Sequence, residues 1–338
     1  MAFDRGELAI IACDSGRAFA ERLVTELNLL PGNSESPVSL VKTEEVTFCN
    51  QEVKTVIKEP VRGKDVYVVQ LCDDPLSPKS INDNLMALMT AVNAAKQSDA
   101  QFVTTILPQF PYARQEKRLG REAITAKLFV DFLEASGVDR VLSLDIHAEA
   151  IGGFFQKAKF DNIKAVKTII SRFKTIERQG PIVVVSPDSG GIPRSREAAA
   201  MLHCKLATIY KQRDYSKPST IVDSILIGNI DGSDVFVMDD MVGTGGTLIK
   251  AVELLKTNGA RHIYLAASLP YFNGPAKQRL ADAYAAGLFD RFIGTDAVMH
   301  GQDFIGANKW YEEMSVAPLF GQVIHRINKG VSISALLE

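Results

Sequence analysis

The feature that most constrains this chain is a repeated succession of short, continuously apolar runs and longer amphipathic stretches. ELAIIAC (7–13), DVYVVQL (65–71), QFVTTILP (101–108) and DRVLSLDI (139–146) hold adjacent apolar residues with little polar alternation. A strand solvated on one face alternates; a continuously apolar one has to be covered on both faces, as in a parallel sheet. Between these runs lie RAFAERLVTELN (17–28), NDNLMALMTAVNAAKQS (82–98) and AITAKLFVDFLEASG (123–137). Their apolar residues recur at helical spacing, and Gly137 supplies a stop to the last. The order then begins again. Helices are expected over 165–175, 195–203 and 246–259, and strands over 181–187, 206–210, 233–240 and 261–270. Two successive strand–helix series predict an α/β protein with two mainly parallel sheets flanked by helices. Such sheets take ligands at the carboxyl ends of their strands.

Composition narrows the classes further. At about 150 residues per domain, 338 residues suggest two domains, and the first pattern ends near 155–165, dividing 1–160 from 161–338. Lys plus Arg is 38 against 40 for Asp plus Glu, a net charge of -2. That excludes the bulk basic field expected of a nucleic-acid or anionic-membrane binder. No apolar run reaches the roughly 18 residues of a membrane span. Asp4 and Glu7 interrupt the start of the chain, so no export signal is expected there. Cys13, Cys49, Cys72 and Cys204 are far apart and form no CxxC pair. This argues against a zinc knuckle or a disulfide framework and suits a reducing cytoplasm.

The most informative loop is in VFVMDDMVGTGGTL (235–248). An apolar strand ends in Asp239 and Asp240, and a glycine-rich turn leads into a helix. Glycines let backbone amides approach an anion, and a helix N-terminus adds positive potential. Thr244 and Thr247 add hydroxyl donors. Carboxylates accept well from sugar hydroxyls and repel phosphate. The combination therefore suits a phosphorylated sugar, with the phosphate at 243–247 and the hydroxyls on the acids. Taken alone, GTGGT is also compatible with an ordinary strand-to-helix turn.

The segment resembles the 5-phosphoribose loop of the type I phosphoribosyltransferase fold. Seven further segments resemble, in order, those of the ribose-phosphate pyrophosphokinase family. They are VRGKDVYVVQ (61–70), NDNLMALM (82–89), PYARQEKR (111–118), ITAKL (124–128), LDIHAEAIGGFF (144–155), SPDSGG (186–191) and SVAPLF (315–320). The resemblance implies two type I phosphoribosyltransferase-like domains, the first with ATP-binding segments and the second with the ribose 5-phosphate loop. It implies transfer of the pyrophosphoryl group of ATP to O1 of ribose 5-phosphate with Mg²⁺, giving 5-phosphoribosyl 1-pyrophosphate and AMP.

The resemblance also implies roles. Lys211 and Arg213 match the family's catalytic pair, and two residues apart in an extended loop they would face one way. Arg213, Asp239, Asp240, Gly243, Thr244, Gly245, Gly246 and Thr247 match the ribose 5-phosphate site. Phe48, Asn50, Glu52, Arg114 and Gln115 match the ATP-binding residues, with 48, 50 and 52 on one face of an extended segment. His147 and Asp188 match the metal positions; a carboxylate beside phosphates is the more usual Mg²⁺ environment. In the family the 48–52 segment serves a neighbouring subunit, which implies a homo-oligomer built from dimers, a hexamer being one such assembly.

Several positions depart from the family pattern. Gly243 replaces Asp in the sugar loop, and Cys49 and Gln51 replace Ser and Gly in the adenine segment. Glu116 replaces Asp and Ala123 replaces Pro after YARQ, ASLPYFNGPA (267–276) lacks a histidine, and SPKS (77–80) is an insertion. These leave a non-catalytic regulatory subunit, a weakly active paralogue and a type I phosphoribosyltransferase as alternatives.

Overall fold

The continuously apolar runs become the central strands of two parallel sheets. The structure, a computed structural model, describes residues 5–33, 37–178, 180–213 and 221–337, with the backbone alone at 211–213 and 221–223. The chain divides into two compact units. One comprises Met1–Lys164, Asp296–Met299 and Ser315–Glu338; the other comprises Ala165–Thr295 and His300–Met314.

The first unit runs β1 (Leu8–Ala12), α1 (Arg17–Asn28), β2 (Thr43–Thr47), β3 (Val53–Ile57), β4 (Asp65–Val69), α2 (Ile81–Gln97), β5 (Phe102–Leu107), α3 (Thr125–Ser136), β6 (Arg140–Leu144) and β7 (Lys159–Ile163). Its described main sheet has the order β1-β4-β5-β6-β7, and every pairing is parallel. All five residues of β4 are buried, and each fully buried Val contributes about 1.5–3 kcal/mol. Gly137 closes α3 at φ 103°, a left-handed conformation that suits glycine. β2 and β3 form a separate antiparallel hairpin.

The second unit runs α4 (Val166–Lys174), β8 (Ile182–Ser186), α5 (Ile192–Leu202), β9 (Lys205–Arg213), β10 (Ile221–Ile227), β11 (Asp234–Met241), α6 (Gly246–Thr257), β12 (His262–Leu269), α7 (Ala276–Ala285), β13 (Arg291–Thr295), α8 (Gln302–Ala307) and β14 (Tyr311–Met314). The described sheet order is β10-β9-β8-β11-β12-β13-β14, antiparallel at β10–β9 and parallel elsewhere.

Two expectations change. The division at 160/161 gave the whole C-terminal half to the second unit, but residues 315–338 pack with the first. Here α9 (Ala317–Asn328) lies on α1, with Phe320 edge-on to Phe19 at 5.7 Å. The buried Asp296 accepts from Arg22 Nη1 at 2.8 Å, Ser315 Oγ at 2.6 Å and the Val316 amide at 2.8 Å. Farther along, Asn328 Nδ2 donates to Asp65 Oδ2 at 3.1 Å. An amphipathic helix goes where its apolar stripe is covered, not where chain order would put it. The other change is in β9, which continues to Arg213 because β10 pairs with it, with Lys211 opposite Ser224. Among the described residues, no helix is long and apolar enough to cross a membrane.

Candidate active site

The strongest cluster lies at the carboxyl ends of β8 and β11, which are neighbours in the sheet. β11 is buried along its length except at Asp239, which is half-buried, and both acids lie near its carboxyl end. The Asp240 amide donates to Asp239 Oδ1 at 2.9 Å. Arg194 Nη1, from α5, is 3.7 Å from Asp240 Oδ1 and 4.0 Å from Asp239 Oδ1. Burial and then the adjacent Asp240 charge push Asp239 well above the usual carboxylate range. Asp188 adds to that push, and Arg194 only partly offsets it. Two adjacent carboxylates in this setting resist carrying both charges at once.

The turn beyond the acids is fixed on several sides. Gly245 has φ 74° and precedes α6 with no side-chain cap, leaving the first-turn amides uncapped by a side chain. A residue with a Cβ would cost about 1–2 kcal/mol in that left-handed conformation. The φ of Gly243 is not positive, so the backbone there does not demand glycine. Its carbonyl accepts from the Asn273 amide at 3.1 Å, and the Val242 carbonyl accepts from the Phe272 amide at 3.0 Å. Behind this brace, the buried His300 ring stacks on Phe272 at 5.1 Å and its Nε2 donates to the Pro270 carbonyl at 2.8 Å. Burial pushes the His300 imidazole down to about 4, with the Pro270 bond partly opposing, so the ring is neutral at physiological pH. Thr244 and Thr247 are exposed. Arg279 Nη1, from α7, donates to the Thr244 carbonyl at 3.1 Å. Thr244, Gly246, Thr247 and Arg279 also border an open groove of about 770 Å³ between α6 and α7.

Asp188 follows β8. Its Oδ1 accepts from the Gly191 amide at 2.9 Å, and its carbonyl accepts from Ser186 Oγ at 2.7 Å. Asp188, Arg194, Asp239 and Asp240 thus form one electrostatic group. Lys211 and Arg213 end β9, the other neighbour of β8. Their side chains, and residues 214–220 beyond them, lie outside the described residues. The extended loop expected at Lys211 and Arg213 is instead paired strand.

The nucleotide candidates lie in the first unit. Arg114 and Gln115 are exposed after β5, in a turn where the Gln115 amide donates to the Tyr112 carbonyl at 2.8 Å. The Tyr112 hydroxyl donates to Asn82 Oδ1, linking YARQ to NDN. Phe48, Asn50 and Glu52 share no face of an extended segment, because they form the turn of the β2–β3 hairpin. The Phe48 amide donates to the Glu52 carbonyl at 2.8 Å, and the Glu52 amide donates to Asn50 Oδ1 at 3.2 Å. Gln51 takes φ 70° there, which explains why glycine suits this position in the family pattern. His147 is exposed just beyond β6.

Among the described residues no three His, Cys, Asp or Glu side chains form a ready metal cluster. Asp188 alone is an oxygen donor of the kind a Mg²⁺ ion takes when water and substrate phosphates supply its other ligands. Sequence reasoning missed Arg194 and Arg279. The first falls in the opening turn of α5, one turn after the SPDSGG glycines, and that position was its available signal.

A parallel α/β unit with an acid pair at one strand end and a glycine turn feeding the next helix is a phosphoribosyltransferase-type domain. Residues 158–300 match the phosphoribosyl transferase domain family, and residues 8–137 match the N-terminal domain of ribose phosphate pyrophosphokinase. A ribose-phosphate pyrophosphokinase of Listeria ivanovii is 32% identical over 336 residues, spanning 98% of each chain. One from Burkholderia pseudomallei is 37% identical over 291 residues, spanning 86% of this chain and 87% of its own. The crystal structure of phosphoribosylpyrophosphate synthetase from Mycobacterium smegmatis superposes with a TM-score of 0.83 at 31% identity, covering 96% of this chain and 99% of that one. The chain belongs to the ribose-phosphate pyrophosphokinase family.

Proposed function

We propose that the chain transfers the pyrophosphoryl group of ATP to O1 of ribose 5-phosphate, releasing AMP. The observation that carries this reading is the Asp239–Asp240 pair running directly into the braced glycine turn, with Asp188 just beyond the adjoining strand and Arg194 on the helix after it. The 5-phosphate sits on the 243–247 amides, and the ribose hydroxyls donate to the two carboxylates. O1 attacks the β-phosphorus; the O1–Pβ bond forms as the bond from Pβ to the α,β-bridging oxygen breaks. AMP leaves with that electron pair, and the O1 proton goes to solvent. Lys211 and Arg213 stabilise the charge on the transferring group. Phe48 stacks on adenine, Asn50 and Glu52 hydrogen-bond its edge, and Arg114 and Gln115 bind the nucleotide. Asp188, with His147 as a second candidate, would hold Mg²⁺, which would supply charge neutralisation on the phosphates. The working form is a cytoplasmic homo-oligomer built from dimers.

The test is AMP formation by the purified chain from ATP and Mg²⁺, with and without ribose 5-phosphate. AMP that requires the sugar phosphate is expected. No AMP would favour the non-catalytic regulatory reading. Consumption of 5-phosphoribosyl 1-pyrophosphate with a base, and no AMP from ATP, would favour a phosphoribosyltransferase.

A further inference from the structure

The SPKS insertion at 77–80 places a lysine against the hairpin that carries Phe48, Asn50 and Glu52. Its end is rigid. Ser80 caps α2, accepting from the Asp83 amide at 3.3 Å while its own amide donates to Asp83 Oδ2 at 2.9 Å. The Lys79 amide donates to Ser77 Oγ at 3.2 Å. From this anchored start, Lys79 Nζ pairs with Glu45 in the middle of β2 and reaches Asp14 Oδ2 at 3.4 Å. The Glu45 side chain is only 5% exposed, and its Oε2 also accepts from the Asp14 amide at 3.1 Å. Opposite Glu45 stands Thr55, whose Oγ1 is 2.9 Å from Thr90 Oγ1 on α2. One cross-strand pair is therefore tied to the α2 region twice, through the residue before its N-cap and through the helix body. An isolated two-stranded hairpin is marginal in water; here β3 packs along α2, and these ties act with that packing to set where the turn points.

We propose that Lys79 is a positioning residue for nucleotide binding: it clamps Glu45 and so sets the direction of the 48–52 turn. The inference rests on the reading of that turn as an adenine site. Without the clamp, a largely buried carboxylate loses its cation, the hairpin rocks on α2, and ATP binds more weakly while the sugar site is untouched.

The test uses Lys79→Met, which keeps the aliphatic stem, with Lys79→Arg and Phe48→Ala beside it. ATP with Mg²⁺ is titrated calorimetrically into each protein, without ribose 5-phosphate, and hydrogen exchange of residues 43–57 is followed. Lys79→Met should weaken ATP binding about tenfold, as a displaced positioning element does, and speed exchange across 43–57. Lys79→Arg should restore both, and KM for ribose 5-phosphate should stay within twofold. If Phe48→Ala weakens ATP binding and Lys79→Met does not, the clamp is overturned while the adenine reading stands. If Phe48→Ala has no effect, the adenine reading fails and the clamp's proposed role with it.

Discussion

Asp239, Asp240 and the 243–247 turn sit where a buried strand leaves the interior of a seven-stranded sheet, whereas Phe48, Asn50 and Glu52 sit on the exposed turn of a two-stranded hairpin. In the first region the backbone is braced from behind by Phe272 and Asn273, and the acids are set by strand register. In the second, direction depends on how β3 packs along α2 and on side-chain ties such as Lys79–Glu45 and Thr55–Thr90. A group fixed by a sheet is preorganised and costs no rearrangement when charge develops. A group on a hairpin turn is set by whatever anchors the hairpin. Changes near the strand ends should therefore act on sugar binding and chemistry, and changes on the hairpin on nucleotide affinity.

The largest expected effect tests the strand-end side. Lys211→Ala should lower kcat by about 10²-fold or more, the cost of losing a preorganised donor to transition-state charge, with KM for ribose 5-phosphate little changed. Turnover within threefold of wild type would remove Lys211 from the chemistry.

A smaller effect tests the sugar loop itself. Because φ at Gly243 is not positive, Gly243→Asp meets no left-handed penalty and adds an acceptor beside the sugar. It should tighten ribose 5-phosphate by about 1–2 kcal/mol, or roughly 5- to 30-fold in Kd. The opposing effect is the added negative charge near Asp239, whose own charge is already disfavoured. Equal or weaker binding in a calorimetric titration would mean that this repulsion wins.

The smallest effect is on the hairpin. Gln51 holds φ 70°, so Gln51→Gly should relieve about 1 kcal/mol of left-handed strain. That should slow hydrogen exchange across 43–57 by roughly fivefold. Unchanged or faster exchange would show that glycine's extra freedom in the open state outweighs the relief.

The same contrast decides what could be read without a structure. Fully apolar strands announce themselves, and the strand-ends-in-Asp239–Asp240 motif marks a candidate site because open sheets take ligands at such ends. The hairpin has no such signature. TEEVT and VKTVI are half-exposed and mixed, so Phe48, Asn50 and Glu52 read as one extended segment when they are a turn. Arg194 and Arg279 reach the acid pair and the glycine turn because α5 and α7 pack beside β11 and α6; the place of Arg194 just after the SPDSGG glycines is its one local sign, and Arg279 has none. The tail of the chain departs from the expected division for a related reason. The apolar stripe of α9 is plain in the sequence, but the partner that covers it, α1, lies some 300 residues earlier. Lys211 and Arg213 were expected on a loop because strand β9 owes its last residues to pairing with β10.

The division of labour between the two regions is tested most directly by initial-rate kinetics of Asp240→Asn and Glu52→Ala with both substrates varied. Each removes one charged acceptor, worth about 1.5–3 kcal/mol when it meets a ligand donor. Asp240→Asn should raise KM for ribose 5-phosphate by about tenfold or more and leave KM for ATP within twofold. Glu52→Ala should do the reverse. If either variant raised both constants equally, or if Glu52→Ala acted on the sugar phosphate and Asp240→Asn on ATP, the assignment of sugar to the strand ends and nucleotide to the hairpin would be contradicted.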